Sequence, residues 1–361
     1  VLPDKWVLAR LGHMGDVVLT TGVMEYWRRT RGWTFTCVTR AAWAPLLDGH
    51  PAVDEVVAVD DADLAFGPWR SRCRDLAARH ADRGLLDLHG VPRTRILARA
   101  WKNAVRRYPK RSLARRFYAA AHWRALGRGL ARTNVCQRYA LAVEAAPPER
   151  GELLPRVFLT RRERDEALAL LRGAGLAPGI PADSAAAGTE AGAETETETG
   201  TGRLLVALHP FATHPNKTWE PDRWRALAAR LDEAGLDWFA VGAGDGVFGT
   251  PRDFTGRTAL RQSCALLERA AVLVTGDSGP MHLACAVSTP VVALFGPTDP
   301  AWGFYPAGPA DRVLETPGLS CRPCSLHGDR DCGRGRRCLA AITDEAVLGA
   351  IGDVLRASPG R

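Results

Sequence analysis

Residues 272–300 read VLVTGDSGPMHLACAVSTPVVALFGPTDP. A buried apolar run, Val272 to Thr275, turns through Gly276-Asp277-Ser278-Gly279 directly into a helical stretch, Pro280 to Val287. A second apolar run, Val291 to Phe295, follows and ends in the loop Gly296-Pro297-Thr298-Asp299-Pro300. Strand, turn, helix and strand in this order build a parallel sheet with helices against its faces. The same alternation continues on the N-terminal side. Leu204 to Leu208 reads as a strand and Trp238 to Val241 as another. Between them lies a helix from Asp222 to Ala234, with Pro221 at its first position and Gly235 ending it. Thr258 is placed to cap a helix from Ala259 to Ala270.

The first 90 residues repeat the design. Strands are expected at 6–11, 35–38, 56–59 and 85–88, with a helix over 17–30 that turns Val18, Leu19, Gly22, Val23 and Trp27 to one face. Between the halves lies a low-complexity stretch, residues 181–202, PADSAAAGTEAGAETETETGTG, with little to bury. The expected organisation is an N-terminal doubly wound α/β domain over 1–180, a linker or disordered loop over 181–202, and a C-terminal doubly wound domain over 203–361. Ligands of such folds bind beyond the carboxyl ends of the strands, so a central cleft faced by both domains is the expected site.

The chain has 361 residues, 46% hydrophobic and 24% charged, which is ordinary for a globular protein and excludes wholesale disorder. No apolar run approaches the ~18–20 residues that span a bilayer. The N-terminus lacks a secretory apolar core, so a cytosolic location is the simplest expectation. The formal net charge is +8. It is concentrated: Val91 to Thr133 holds 13 Lys/Arg and no Asp or Glu, which leaves the remainder net negative. Such an excess calls for an anionic partner. Within Arg93 to Arg132, Ile96, Leu97, Ala100, Trp101 and Val105 recur at helical spacing, which suits a basic amphipathic helix at a bilayer surface or against an anionic substrate. A solvated helix with snorkelling arginines explains the same pattern. No nucleic-acid-binding motif is present.

Four further features carry candidate chemistry. The Gly276–Gly279 turn gathers free backbone N–H groups and the positive helix end, with Ser278 adding a hydroxyl, which suits a phosphate or diphosphate. Asp277 suits sugar or ribose hydroxyls, and His282 lies one turn into the helix on the same side. In LHPFATHPNKTWEPDRW, 208–224, a loop with Thr213 and Lys217 precedes a helix. Lys217 is the one lysine of the C-terminal half, and it is either a phosphate ligand or a surface residue. In Gly12-His13-Met14-Gly15-Asp16, the first strand–helix turn, Asp16 is either a helix-capping carboxylate or a general base. The spacing departs from G-x-G-x-x-G, so no dinucleotide fingerprint is supported. Finally, Cys321, Cys324, Cys332 and Cys338 form a tetrad that suits either a structural metal ion or reduced or partly oxidised thiols.

Four segments in this order resemble glycosyltransferase family 9, the ADP-heptose:lipopolysaccharide heptosyltransferases: LGHMGDVVLTTGVMEYWR (11–28), DLHGVPRTRILAR (87–99), HPFATHPNKTWEPDRWRALAARL (209–231) and GDSGPMHLACAVSTPVVALFGPTDP (276–300). The tetrad near Cys321 also looks like one seen in some members. The resemblance implies a GT-B architecture, with the acceptor on the N-terminal Rossmann-like domain and the nucleotide-sugar on the C-terminal one. It implies inverting transfer of heptose from ADP-heptose to the phosphorylated lipopolysaccharide inner core, with no catalytic metal and no cofactor. It implies a cytoplasmic enzyme at the anionic inner membrane surface with no nucleic-acid partner. Carried onto this chain, Asp16 is the general base. Gly15, Thr213, Lys217, Asp277, Ser278, Gly279 and His282 form the donor site, with Asp245 a ribose ligand and Thr258 a weaker adenine contact. A non-catalytic nucleotide-sugar or anionic-glycan binding module on the same fold is the alternative.

Overall fold

The computed structural model describes residues 2–177 and 203–358, so the low-complexity stretch lies outside the described residues. The chain divides into two compact units. The first runs to Phe158 and takes in Asp299–Ala307 and Arg322–Leu326; the second takes Leu159–Thr298, Gly308–Cys321 and the residues from His327 onward. The division thus falls at Phe158/Leu159, ahead of the boundary that composition suggests. The helix Arg161–Gly173 explains the difference. Its Arg164 forms a bidentate pair with Glu268, and Arg261 pairs with its Glu163, which fastens it to the helix Leu260–Glu268 of the second unit.

Each unit carries a five-stranded, wholly parallel sheet. The first contains β1 (Lys5–Ala9), β2 (Thr34–Arg40), β3 (Val53–Val59), β4 (Gly84–Asp87) and β5 (Val105–Arg107), in the order β3-β2-β1-β4-β5. The second contains β6 (Leu205–His209), β7 (Asp237–Ala240), β8 (Val272–Gly276), β9 (Val291–Phe295) and β10 (Arg312–Glu315), in the order β10-β9-β8-β6-β7. The central strands are buried on both faces, as their near-continuous apolar runs require. Strand order reverses between β1 and β4 in the first sheet and between β6 and β8 in the second. Loops diverge from these points, so a crevice opens outside the carboxyl ends of those strands.

The helix after β1 runs Met14–Arg31 and buries Val17, Val18, Val23, Met24 and Trp27. Gly22 sits on its buried side, where a Cβ would come within 2.3 Å of the Leu153 carbonyl oxygen, so close packing forbids any side chain there. Gly32 ends the helix in the left-handed region at φ 69°.

Two local expectations are corrected. Arg93 to Arg132 is not one amphipathic helix. It breaks into the helix Pro92–Ala100, strand β5, and the helices Ser112–Ala121 and Arg124–Ala131. Val105, which fitted the helical spacing, instead hydrogen-bonds in the ladder beside Leu85 at the sheet edge. Thr258 also does not cap its helix: the N-cap is Ala259, and the Thr258 hydroxyl pairs with Ser263 Oγ at 2.8 Å. Among the described residues no helix is long and apolar enough to cross a membrane.

Candidate functional site

The first unit places Asp16 at the third position of the helix Met14–Arg31, after Gly15. The N-cap is His13, whose side chain makes no capping bond. The Asp16 carboxylate forms an ion pair with Arg10, which follows β1, and accepts a hydrogen bond from Tyr139 Oη at 3.4 Å. Arg10 is buried; its Nη1 donates to the Leu88 carbonyl at 2.6 Å, beyond the end of β4, and its guanidinium lies 5.6 Å from the Tyr139 ring centre. The arginine thus bridges the carboxyl ends of the two strands at the reversal. Burial works to lower the Arg10 pKa, but Asp16 and the tyrosines Tyr139 and Tyr108 outweigh it and raise it.

Further cations gather at the same strand ends. Lys110 Nζ donates to the His89 carbonyl at 3.1 Å, and Arg115 lies over the Trp302 ring at 5.2 Å. Burial first, and Arg10 as well, depress the pKa of both. Burial, with Arg10 and Lys110, pushes the His89 imidazole down to about 3, so it is neutral at physiological pH. His89 Nδ1 and Arg115 Nε have no hydrogen-bond partner among the described residues. A patch of buried and half-buried positive groups with an unused guanidinium donor beside a carboxylate suits an anionic ligand. Of this patch the motif reading found only Asp16; Arg10, His89, Lys110 and Tyr139 come from four separate segments.

In the second unit, the expected donor residues divide into two groups. Lys217 ends a short 3-10 turn, Pro215–Lys217, ahead of the helix Pro221–Glu233. Its Nζ lies 2.6 Å from Asp277 Oδ2, and the Thr298 hydroxyl donates to the same oxygen at 2.8 Å. Asp277 follows β8, and the helix Gly279–Ala286 begins two residues on, with Pro280 in its first turn. Ser278 is the N-cap, but its hydroxyl makes no capping bond. It lies 2.9 Å from Thr275 Oγ1 and 3.2 Å from His209 Nδ1, closing a triangle across the ends of β6 and β8. Burial holds His209 neutral, with its pKa down to about 3. His282 is buried one turn into the helix, and Thr213 is exposed in the loop after β6. Lys217, Asp277, Ser278 and Gly279 are therefore brought to one end of the β8–helix unit. Sequence reading missed Thr298, Thr275 and His209, whose only signal was lying at the ends of expected strands or in an adjoining loop.

A lysine, a helix N-terminus and a carboxylate at the reversal point of a parallel sheet offer the chemistry that suits a sugar diphosphate. Residues 174–330 match the model of glycosyltransferase family 9 (heptosyltransferase), which takes in most of this second unit. In this segment the chain is similar to glycosyltransferase family 9. Lipopolysaccharide heptosyltransferase 1 of Pseudomonas aeruginosa is 28% identical over 88% of this chain and 85% of its own. The crystal structure of a family 9 glycosyltransferase from Veillonella parvula superposes with a TM-score of 0.74 at 19% identity, covering 99% of each chain. The heptosyltransferase WaaC of E. coli with ADP gives 0.61 at 19% identity, covering 97% of this chain and 99% of that one. Both structures share the α/β fold of this chain. Among the described residues no three His, Cys, Asp or Glu are grouped as a metal ion requires.

Proposed function

We propose that the protein is an inverting heptosyltransferase that moves heptose from ADP-heptose to the phosphorylated inner core of lipopolysaccharide. The observation that carries this reading is the pairing of Lys217 with Asp277 at the head of the helix Gly279–Ala286, inside the family 9 match. ADP leaves as a diphosphate, and its growing negative charge must be met in the transition state. Lys217 supplies a full positive charge, and the amides at Ser278 and Gly279 supply fixed dipoles. Asp277 accepts hydrogen bonds from the sugar hydroxyls, while Thr213 and His282 complete the donor side. On the acceptor side, Asp16 takes the proton from the attacking hydroxyl as the new bond forms opposite the leaving group. With Lys217 and the amides as donors, the step as proposed uses no cofactor.

Arg10, Lys110 and Arg115 around Asp16 suit an acceptor that carries phosphate or carboxylate groups. The acceptor is lipid-anchored, and the segment Arg93–Arg132 suits contact with an anionic membrane face. It presents Leu113, Phe117 and Trp123 to solvent among its arginines. The proposed enzyme works in the cytoplasm, peripheral to the inner membrane. The test is to incubate the protein with ADP-heptose, other nucleotide-sugars and truncated lipopolysaccharide acceptors and to weigh the products. A heptose mass increment on the acceptor supports the reading. Binding of nucleotide-sugar with no product from any pair favours the non-catalytic module.

A further inference from the structure

The cysteine-rich segment has no part in the chemistry above, yet it folds directly onto the lysine that does. Gly328 lies in the left-handed region at φ 74°, and a Cβ there would come within 2.9 Å of Lys217 Cε and of Pro297 Cγ, and within 3.1 Å of Lys217 Cγ. The backbone at 328 is therefore pressed against the aliphatic stem of Lys217. Around this contact the segment is tied to the lysine's own loop. Asn216 Nδ2 donates to the Arg330 carbonyl at 2.6 Å. Arg336 Nη1 donates to the carbonyls of Pro215 at 3.2 Å and Thr218 at 3.3 Å, and its Nη2 pairs with Glu220. The thiols sit behind these ties: Cys332 Sγ accepts from the Arg336 amide at 3.3 Å, and Cys338 is buried in the core of the second unit.

We propose that residues 327–336 form a strap that positions Lys217 for the donor diphosphate, with Gly328 as its point of contact. A lysine side chain is a flexible four-carbon stem, and ordering it on binding costs conformational entropy. The strap orders that stem before the donor arrives and leaves the ammonium at Asp277, with 14% of the side chain exposed. Preorganisation of this kind tightens binding without adding a contact to the ligand. Gly328 is thus a positioning residue that acts through Lys217. This inference rests on the assignment of Lys217 to the donor diphosphate.

The decisive variant is Gly328→Ala. Its added methyl meets the stiff ring of Pro297 on one side and the movable Lys217 stem on the other, so the lysine yields. The Kd for ADP and the KM for the nucleotide-sugar should rise about tenfold, with kcat changing less. Gly318→Ala controls for backbone strain: Gly318 has φ 78° and no heavy atom within 4 Å of a Cβ, so ADP affinity should be unchanged. Asn216→Ala loosens the strap with no backbone strain and should weaken ADP binding in the same direction, which keeps the test open should the Gly328 variant fail to fold. The double variant Gly328→Ala/Lys217→Ala separates positioning from a general structural effect. If the strap acts through Lys217, the double variant binds ADP no more weakly than Lys217→Ala alone. Additive losses, or unchanged ADP affinity in both Gly328→Ala and Asn216→Ala, would overturn the proposal. Wild-type protein that does not bind ADP would instead overturn the donor-site reading on which it stands.

Discussion

Lys217 Nζ and Asp277 Oδ2 are 2.6 Å apart, and both side chains are more than four-fifths buried. The cation expected to meet a diphosphate is thus already matched to the carboxylate expected to meet the sugar. An ammonium has three donors, so it can keep Asp277 and still bind a phosphate oxygen. On the proposed reading the pair couples the two halves of the donor: the carboxylate proposed for the sugar orients the cation proposed for the phosphate.

Substituting the two partners should therefore give different results. Lys217→Ala should weaken ADP binding and slow transfer together. Asp277→Asn should leave ADP affinity unchanged or tighter, since the lysine loses a competitor, while transfer falls about 10- to 100-fold through the lost sugar contact. Calorimetry with ADP beside a transfer assay reads both. Equal loss of ADP binding in both variants would mean that the pair is only structural.

Arg10 bonds to Leu88 and pairs with Asp16 in a buried setting. Removing one member of such a pair leaves the other charge uncompensated, so Arg10→Met should destabilise the first unit by about 3–5 kcal/mol. Urea unfolding measures this. A loss under about 1 kcal/mol would show that water compensates Asp16.

Much of this was legible in the residues. Alternating apolar runs and helical stretches located the strands from β1 to β4 and from β6 to β9, because all but the edge strand β3 are buried almost throughout and read as continuous hydrophobic runs. Strand β5 was obscured: its three residues, Val105, Arg106 and Arg107, lie at a sheet edge and carry two arginines that suggest a helix face. The donor-side residues were visible because Lys217 and the Gly276–Gly279 turn are each compact in sequence. The acceptor-side patch was not, since Arg10, His89, Lys110, Arg115 and Tyr139 are joined only by the strand order. The role of Gly328 was equally hidden, as a missing Cβ has no pattern until its neighbours are known.

Acid should destabilise the fold through two histidines. His209 and His89 titrate near about 3 when folded, against an ordinary value of ~6.5. The unfolded chain therefore takes up their protons first as pH falls. Their stabilising contribution is complete above about pH 6.5 and is lost progressively toward pH 3, at up to about 1.4 kcal/mol per pH unit for each histidine. Denaturant midpoints between pH 8 and 4 should fall, and His209→Gln, which cannot titrate, should show a shallower slope. An equal slope in the variant would remove His209 from this effect.

The exposed apolar residues Leu113, Phe117 and Trp123 lie among arginines, so vesicles with anionic lipid should bind the protein at low salt and release it as ionic strength rises. Exchanging the three for Ser should reduce vesicle binding while transfer to a soluble, truncated acceptor persists. No binding at any salt concentration would remove the membrane contact and leave the transfer chemistry in place.

Asp16→Asn tests the central claim most directly. The amide keeps the shape of the carboxylate and cannot take a proton from the acceptor. Transfer from ADP-heptose and the Kd for ADP should be measured on the same preparation. The expected result is a kcat lower by about 10²- to 10⁴-fold with ADP affinity as in the wild type. Turnover near the wild-type rate would contradict it and leave Asp16 as no more than Arg10's structural partner.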